Sequence, residues 1–179
     1  LIMFSRKQRG FIFGADINEF ASFADAAAVT AHIDVVLNSF QQIEDLPCVT
    51  VILIDGICLG GGYEMALAFD YIIGIDNSSC QVGFPEINLG LLPGYGGSGR
   101  AYARMGLEVA LKMVLHGKPV RAKDALSIGA LDHLVVNREA LADAARTAIA
   151  GGIERTPAAK CADPELSLIH ISEPTRQSK

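Results

Sequence analysis

The sequence predicts an α/β fold in which helices cover the faces of a buried sheet. Its 179 residues are 50% hydrophobic and 20% charged, a composition that fits one globular domain and excludes disorder for most of the chain. Continuous apolar runs rich in β-branched residues predict strands that are buried on both faces. These runs alternate with segments of helical periodicity, and this alternation indicates layers of helix on sheet.

The elements of the first half follow from periodicity and from turn residues. Apolar residues at helical spacing predict an amphipathic helix over residues 25–44, which Pro47 ends. Apolar or β-branched runs predict strands at residues 1–4, 48–54, 71–75 and 80–84. A glycine triplet and an apolar helix that extends to Phe69 separate the second of these strands from the third.

The second half is predicted to be helical after a loop. Residues 85–99 are rich in proline and glycine and predict a loop. Helices are predicted at about residues 108–115, 122–128 and 138–150, with Gly117 and Gly129 as C-terminal stops.

We expect one domain over residues 1–165 and a tail over residues 166–179 that is non-native or disordered. Residues 166–176 have no helical or strand period and resemble a translated sequencing adapter, so we leave the tail out of the fold prediction. The chain begins with Leu1 rather than Met, and we expect an internal fragment of a longer protein.

Charge, hydropathy and cysteine usage exclude several function classes. A net charge of −5 argues against a nucleic-acid partner. The apolar run over residues 49–54 ends at Asp55, whereas a membrane span needs about 20 residues. The four cysteines show no metal-ligand spacing, and the four histidines look incidental, so we expect reduced thiols, no metal site and a cytoplasmic location.

The glycine triplet Gly60-Gly61-Gly62 is the first candidate for a functional site. Three glycines between a strand and a helix let the backbone approach a ligand and leave N–H groups free to donate. No phosphate-loop or dinucleotide motif surrounds them, so an oxyanion is the ligand they suit best. A tight turn needed only for helix–sheet packing explains the same residues, and both interpretations stay open.

A second possible donor and two acidic residues add to this candidate site. Gly14-Ala15 follows an apolar stretch and precedes Asp16, which could cap a helix that begins nearby, although an ordinary turn explains the run as well. Glu64 lies in the first turn of the helix after the triplet, where a carboxylate also favours the helix dipole. Glu86 follows a short strand and is either a solvated loop carboxylate or, together with Glu64, part of a proton-transfer pair.

Four ordered motifs resemble the enoyl-CoA hydratase/isomerase (crotonase) family. They are residues 11–20, the Leu-Gly-Gly-Gly-Tyr-Glu run at residues 59–64, residues 83–97 and residues 116–132. The resemblance implies a crotonase-like spiral of ββα units, truncated at the N-terminus and followed by C-terminal helices, which usually forms trimers. Residues 11–20 and 43–47 look most like the hydratase part of multifunctional fatty-acid oxidation α subunits, which implies an oxidation complex as partner.

The resemblance also implies roles for individual residues. The N–H groups of Ala15 and Gly61 would form the oxyanion hole for an acyl-CoA thioester, Glu64 would activate water, and Glu86 would deliver a proton. Neighbouring substrate contacts are implied for Phe13, Gly14, Asp16, Gly60, Gly62, Pro85 and Gly94. Phe13 stands where the family commonly has small or β-branched residues, and we expect it to narrow the acyl pocket.

The function that the resemblance implies is hydration of 2-enoyl-CoA in bacterial β-oxidation. Coenzyme A would enter as part of the substrate, and no separate cofactor is expected. Double-bond isomerisation or other enolate chemistry is the alternative within the family. A non-catalytic acyl-CoA-binding domain and an inactive fragment remain alternatives outside it.

Overall fold

The computed structural model describes residues 1–7, 10–16 and 22–153, and in them the strands form two sheets. The four-stranded sheet is parallel and has, in spatial order, β1 (Ile2–Phe4), β2 (Val51–Ile54), β4 (Tyr71–Ile75) and β7 (His133–Val135). The second sheet has β3 (Ile57–Leu59), β5 (Gln81–Gly83) and β6 (Val120–Arg121), of which β3 and β5 are parallel. From β2 to β5, consecutive strands alternate between the two sheets, as expected for a spiral of ββα units. Strands β1 and β2 both lie in the four-stranded sheet, and β5 and β6 both lie in the three-stranded one.

Helices pack around and between these sheets. They are α1 (Ala26–Glu44), α2 (Gly61–Ala66), α3 (Gly97–Met105), α4 (Leu107–His116), α5 (Ala122–Ser127) and α6 (Ala140–Ala150), with a 3-10 turn at Glu86–Leu89. Helix α1 begins where the sequence predicts, because the Asp25 side chain accepts a hydrogen bond from Ala28 N (2.8 Å).

Two expectations about elements need correction. Residues 85–99 are not a continuous loop, because they contain the 3-10 turn and the first residues of α3. The Gly-Ser-Gly start of α3 has low helix propensity, but Gly97 and Ala101 are buried, and this packing overrides propensity. The strand predicted over residues 48–54 begins only at Val51. Thr50 N donates a hydrogen bond to the Asp70 carboxylate (2.8 Å), so this amide is not available to a neighbouring strand.

Strand β2 is buried on both faces, as its continuous apolar run predicts. Ile52 and Ile54 belong to the main core. Val51 and Leu53 point to the opposite face, which helix α6 covers. The main core also contains Tyr63 and Phe84, whose ring centroids are 5.2 Å apart beneath the candidate site.

Two further predictions concern membrane spans and the C-terminal end of the domain. Among the described residues, no helix is long and apolar enough to cross a membrane. The proposed domain end at residue 165 and the adapter-like tail at residues 166–179 lie outside the described residues.

Candidate active site

Three parallel segments end at one edge of the smaller sheet. Residues 11–12 run parallel to β3, and Leu59 N donates to Ile12 O (2.9 Å). On its other side β3 pairs in parallel with β5, and Gly60 N donates to Gly83 O (2.9 Å). Because parallel strands present their carboxyl ends at the same edge, the residues that follow the three segments meet there. These are residues 14–16, 60–64 and 84–86.

The two predicted amide donors lie close together at this edge. A Cβ built on Gly61 would be 3.8 Å from Ala15 N, and a Cβ built on Gly14 would be 3.6 Å from Gly61 N. The structure thus brings Ala15 and Gly61 together, although 45 positions separate them in the chain.

Each glycine of the triplet meets a different neighbour. Gly60 has a φ of +55°, which favours glycine, and a Cβ there would be 3.0 Å from Glu86 Oε1. A Cβ on Gly61 would be 3.0 Å from the Tyr95 ring. A Cβ on Gly62 would be 2.5 Å from Ile12 Cγ2. Close packing therefore explains the glycine at position 62. Gly60 lies beside the Glu86 carboxyl group, and Gly61 lies beside Ala15 N, the other predicted donor.

Glu64 is a buried carboxyl group held by two backbone amides. Only 1% of its surface is exposed, and its Oε1 accepts hydrogen bonds from Tyr95 N and Gly97 N, both at 2.8 Å. Burial raises the pKa of Glu64 to about 7. The two amides and the charge of Arg100 oppose this rise, and the neighbouring Glu86 adds to it.

Glu86 presents a carboxylate oxygen without a partner. It begins the 3-10 turn after β5, and its Oε2 is buried with no hydrogen bond to any residue that the structure describes. Burial raises the pKa of this carboxyl above 4.5. A freely solvated loop carboxylate does not fit these observations, since a buried polar atom without a partner is costly in a folded protein.

The remaining candidate residues lie at the margin of the site. The Phe13 ring lies beside Gly10, and the residue is 58% exposed. The expectation that Phe13 narrows an acyl pocket stays a prediction. Asp16 is exposed, and the helix that it was expected to cap would fall in residues outside the described ranges. Pro85 directly precedes the 3-10 turn, and a Cβ on Gly94 would meet nothing within 4 Å.

Sequence reasoning missed the groups that hold Glu64. The donors are the main-chain amides of Tyr95 and Gly97, and a backbone donor leaves no residue-type signature. The histidines were expected to be incidental, and this stays a prediction; His32 Nε2 lies 3.3 Å from Tyr95 Oη. The glycine-rich run at residues 93–97 is an available signal, because a run outside regular helix or strand leaves N–H groups free to donate.

This arrangement is suited to acid–base chemistry at a carbonyl compound. Burial raises the pKa of both Glu64 and Glu86, and the charge of Glu86 adds to the rise for Glu64. With a pKa of about 7, Glu64 can exchange protons near neutral pH. The neighbouring backbone amides of Ala15 and Gly61 are the kind of donors that stabilise negative charge on an oxygen.

Comparisons with known proteins agree with this chemistry. The family described as enoyl-CoA hydratase/isomerase matches residues 1–162. The fatty acid oxidation complex subunit alpha of Aliivibrio fischeri is 44% identical over 142 residues, which are 77% of this chain and 21% of that protein. The subunit of the same name from Pseudomonas entomophila is 43% identical over 128 residues, which are 70% of this chain and 18% of that protein.

Solved structures show the same fold. The enoyl-CoA hydratase from Thermoplasma volcanium superposes with a TM-score of 0.76 at 28% identity, covering 84% of this chain and 59% of that one. The enoyl-CoA hydratase from Bacillus anthracis gives a TM-score of 0.75 at 27% identity over 84% of this chain and 57% of that one. The chain spans about a fifth of the length of the curated relatives it matches. It belongs to the enoyl-CoA hydratase/isomerase family.

Proposed function

We propose that this chain carries the active site of an enoyl-CoA hydratase, which adds water to 2-enoyl-CoA and forms 3-hydroxyacyl-CoA. The observation that carries the proposal is the pair Glu64 and Glu86, two carboxyl groups of raised pKa beside the amides of Ala15 and Gly61. Family isomerisation needs one group to move a proton, whereas hydration uses a second group for the water.

In the proposed reaction the thioester oxygen accepts hydrogen bonds from Ala15 N and Gly61 N. Attack of water on the β-carbon moves electrons from the double bond toward this oxygen, which gains enolate charge. Fixed donors stabilise such charge because they need no reorganisation, and one donor lowers the barrier by about 3–4 kcal/mol.

The two glutamates divide the proton transfers. Glu64 takes a proton from water while the hydroxyl group bonds to the β-carbon, and the amides on Oε1 leave Oε2 for this contact. Glu86 gives its proton to the α-carbon as the enolate collapses. Return of a proton from Glu64 to Glu86 restores both groups, so that each cycle consumes one water. Coenzyme A takes part as a portion of the substrate, and we propose no other cofactor.

The surrounding residues and partners complete the proposal. We propose further substrate contacts for Phe13, Gly14, Asp16, Gly60, Gly62, Pro85 and Gly94. The relatives are named as subunits of a fatty acid oxidation complex, so we also propose a role in bacterial β-oxidation, in the cytoplasm, within such a complex or a homotrimer.

Two substitutions test the function. We expect Glu64→Gln and Glu86→Gln each to lower kcat for hydration of 2-butenoyl-CoA by a factor of about 100 or more, with KM little changed, because the proton transfers are lost while binding is kept. Glu108→Gln on α4 is the control, since this side chain is exposed and its ion pair within the described part of the chain is with Lys112.

Other outcomes identify the alternatives. Full turnover by both variants would contradict the proposal. Conversion of 3-enoyl-CoA without hydration, lost in Glu86→Gln and kept in Glu64→Gln, would show an isomerase. Binding of acyl-CoA without any turnover by the wild-type chain would show a non-catalytic domain.

A further inference from the structure

The loop that holds Glu64 is itself fixed by helix α1. We call residues 95–97 the Tyr95 loop, because its first and last amides are the two donors to Glu64. From α1, His32 Nε2 lies 3.3 Å from Tyr95 Oη. About two turns further along α1, the Phe40 ring packs edge-on against the Tyr95 ring, with 6.2 Å between the ring centroids. Helix α1 thus contacts both the hydroxyl group and the ring of Tyr95.

The third link between α1 and the loop passes through Arg100. The guanidinium binds Glu44 with two nitrogens, at 2.6 and 3.1 Å, and its Nη1 donates to Tyr95 O (2.8 Å). The same group lies 5.7 Å from the centre of the Phe40 ring. The side chains of Arg100 and Glu44 are only 13% and 9% exposed, so water competes little for this forked ion pair.

Tyr95 connects these contacts with the candidate site. Its side chain is buried, and its ring carbons lie 3.0 Å from the position of a Cβ on Gly61. Its amide holds Glu64 Oε1 at 2.8 Å. A displacement of Tyr95 would therefore change the position of the Glu64 carboxyl and the surface beside the Gly61 amide together.

We propose that His32, Glu44 and Arg100 are positioning residues that fix Glu64 through the Tyr95 loop. None of the three is placed against the substrate. His32 contacts the hydroxyl of Tyr95, Arg100 contacts its backbone carbonyl, and Glu44 holds Arg100. The inference rests on the proposed function only for its effect on turnover, because the effect on the Glu64 carboxyl is measurable without substrate.

Two substitutions weaken the links without changing charge. Arg100→Lys keeps the positive charge that acts on Glu64 but loses the fork that joins Glu44 to Tyr95 O. Tyr95→Phe removes the hydroxyl that meets His32 and keeps the ring. Arg104→Lys is the matched control, because Arg104 also lies on α3, pairs with Asp132, donates to Gly129 O (3.0 Å) and is 15% exposed.

The experiment has two readouts. The first is the pKa of Glu64, which carbon-13 NMR measures and Glu64→Gln assigns. The second is the kinetics of hydration. Looser amides hold the carboxylate less well, so Arg100→Lys and Tyr95→Phe should raise the pKa of Glu64 by about 0.5 unit or more. They should lower kcat about tenfold while KM stays within about twofold, because only the placement of the base changes. In the Glu64→Gln background, neither Arg100→Lys nor Tyr95→Phe should lower kcat further. Arg104→Lys should leave the pKa of Glu64 and kcat unchanged.

The possible failures are distinguishable. If the wild-type chain hydrates enoyl-CoA and both variants keep its Glu64 titration and its kcat, the positioning inference is overturned. The same holds if Arg104→Lys reproduces their effects, since general loosening would then explain them. If the Glu64 titration shifts as expected but the wild-type chain has no hydratase activity, the positioning inference stands and the proposed function fails.

Discussion

Burial of the Glu64 carboxyl group, which the proposed role requires, lowers the free energy of unfolding at high pH. Its pKa is about 7 in the folded chain and ordinarily 4.5, with burial as the main cause. Between these two pH values the folded state binds more protons than the unfolded state, so the free energy of unfolding falls as pH rises. Above pH 7 the buried charge costs at most about 3 kcal/mol of stability.

Glu64→Gln should therefore stabilise the chain at high pH. The amide oxygen of glutamine still accepts the two bonds from the Tyr95 loop, while the buried charge is removed. Urea denaturation should show a larger free energy of unfolding for the variant at pH 8, by about 1–3 kcal/mol, and a much smaller difference at pH 5. Glu108→Gln should show no such gain, because Glu108 is exposed and its pKa is lowered by Lys112. A lower stability of Glu64→Gln at pH 8 would contradict this explanation.

At the level of residues, sequence neighbours make Glu64 and Glu86 candidates, the family resemblance gives them roles, and neither indicates what surrounds them. Local sequence places Glu64 in the first turn of a helix, and the structure confirms that position. The environment of Glu86 Oε2, which has no hydrogen-bond partner among the described residues, and the amides of the Tyr95 loop depend on which segments meet in space. That information is absent from residue type and periodicity.

Among the elements, α2 must approach the segment before Gly14 closely. A Cβ on Gly62 would lie 2.5 Å from Ile12 Cγ2 and 2.7 Å from Ile12 O, so this helix cannot accept a side chain there without moving. Such a movement would separate Gly61 from Ala15, because Ile12 and Ala15 belong to the same segment.

Gly62→Ala should lower both stability and turnover. We expect a loss of about 1–3 kcal/mol in urea denaturation from overpacking, and a lower kcat from the displaced amides. Gly94→Ala is the control for stability, since a Cβ there would meet nothing within 4 Å. Equal stability of the two variants would show that α2 adjusts without cost and would contradict the close-packing explanation of Gly62.

The elements differ in how well the sequence predicts them. Helix α1 and strand β4 are long or apolar enough for their periodicity and flanking residues to define them, and both agree with prediction. Strand β3 has only three residues, too few to show a period, and α3 begins with a poor helix-forming run. Both depend on tertiary pairing or packing, which local patterns do not contain.

For the whole molecule, the central feature is that strands β2 to β5 alternate between two sheets. It places the ends of β3, β5 and the segment at residues 11–12 at one edge, and this brings together residues from three distant parts of the chain. Composition and periodicity predict the α/β class but not this pairing. The family resemblance supplied the spiral, and the superposition on solved enoyl-CoA hydratases agrees with it.

The most direct test of the account is an NMR measurement on the two proposed donors. Glu86→Gln, which should bind substrate without turnover, is labelled with nitrogen-15 and titrated with 2-butenoyl-CoA. Hydrogen bonds from both amides to one thioester oxygen should move the amide proton signals of Ala15 and Gly61 downfield together, with a single binding curve. Saturation of binding with either signal unmoved would contradict a shared oxyanion site.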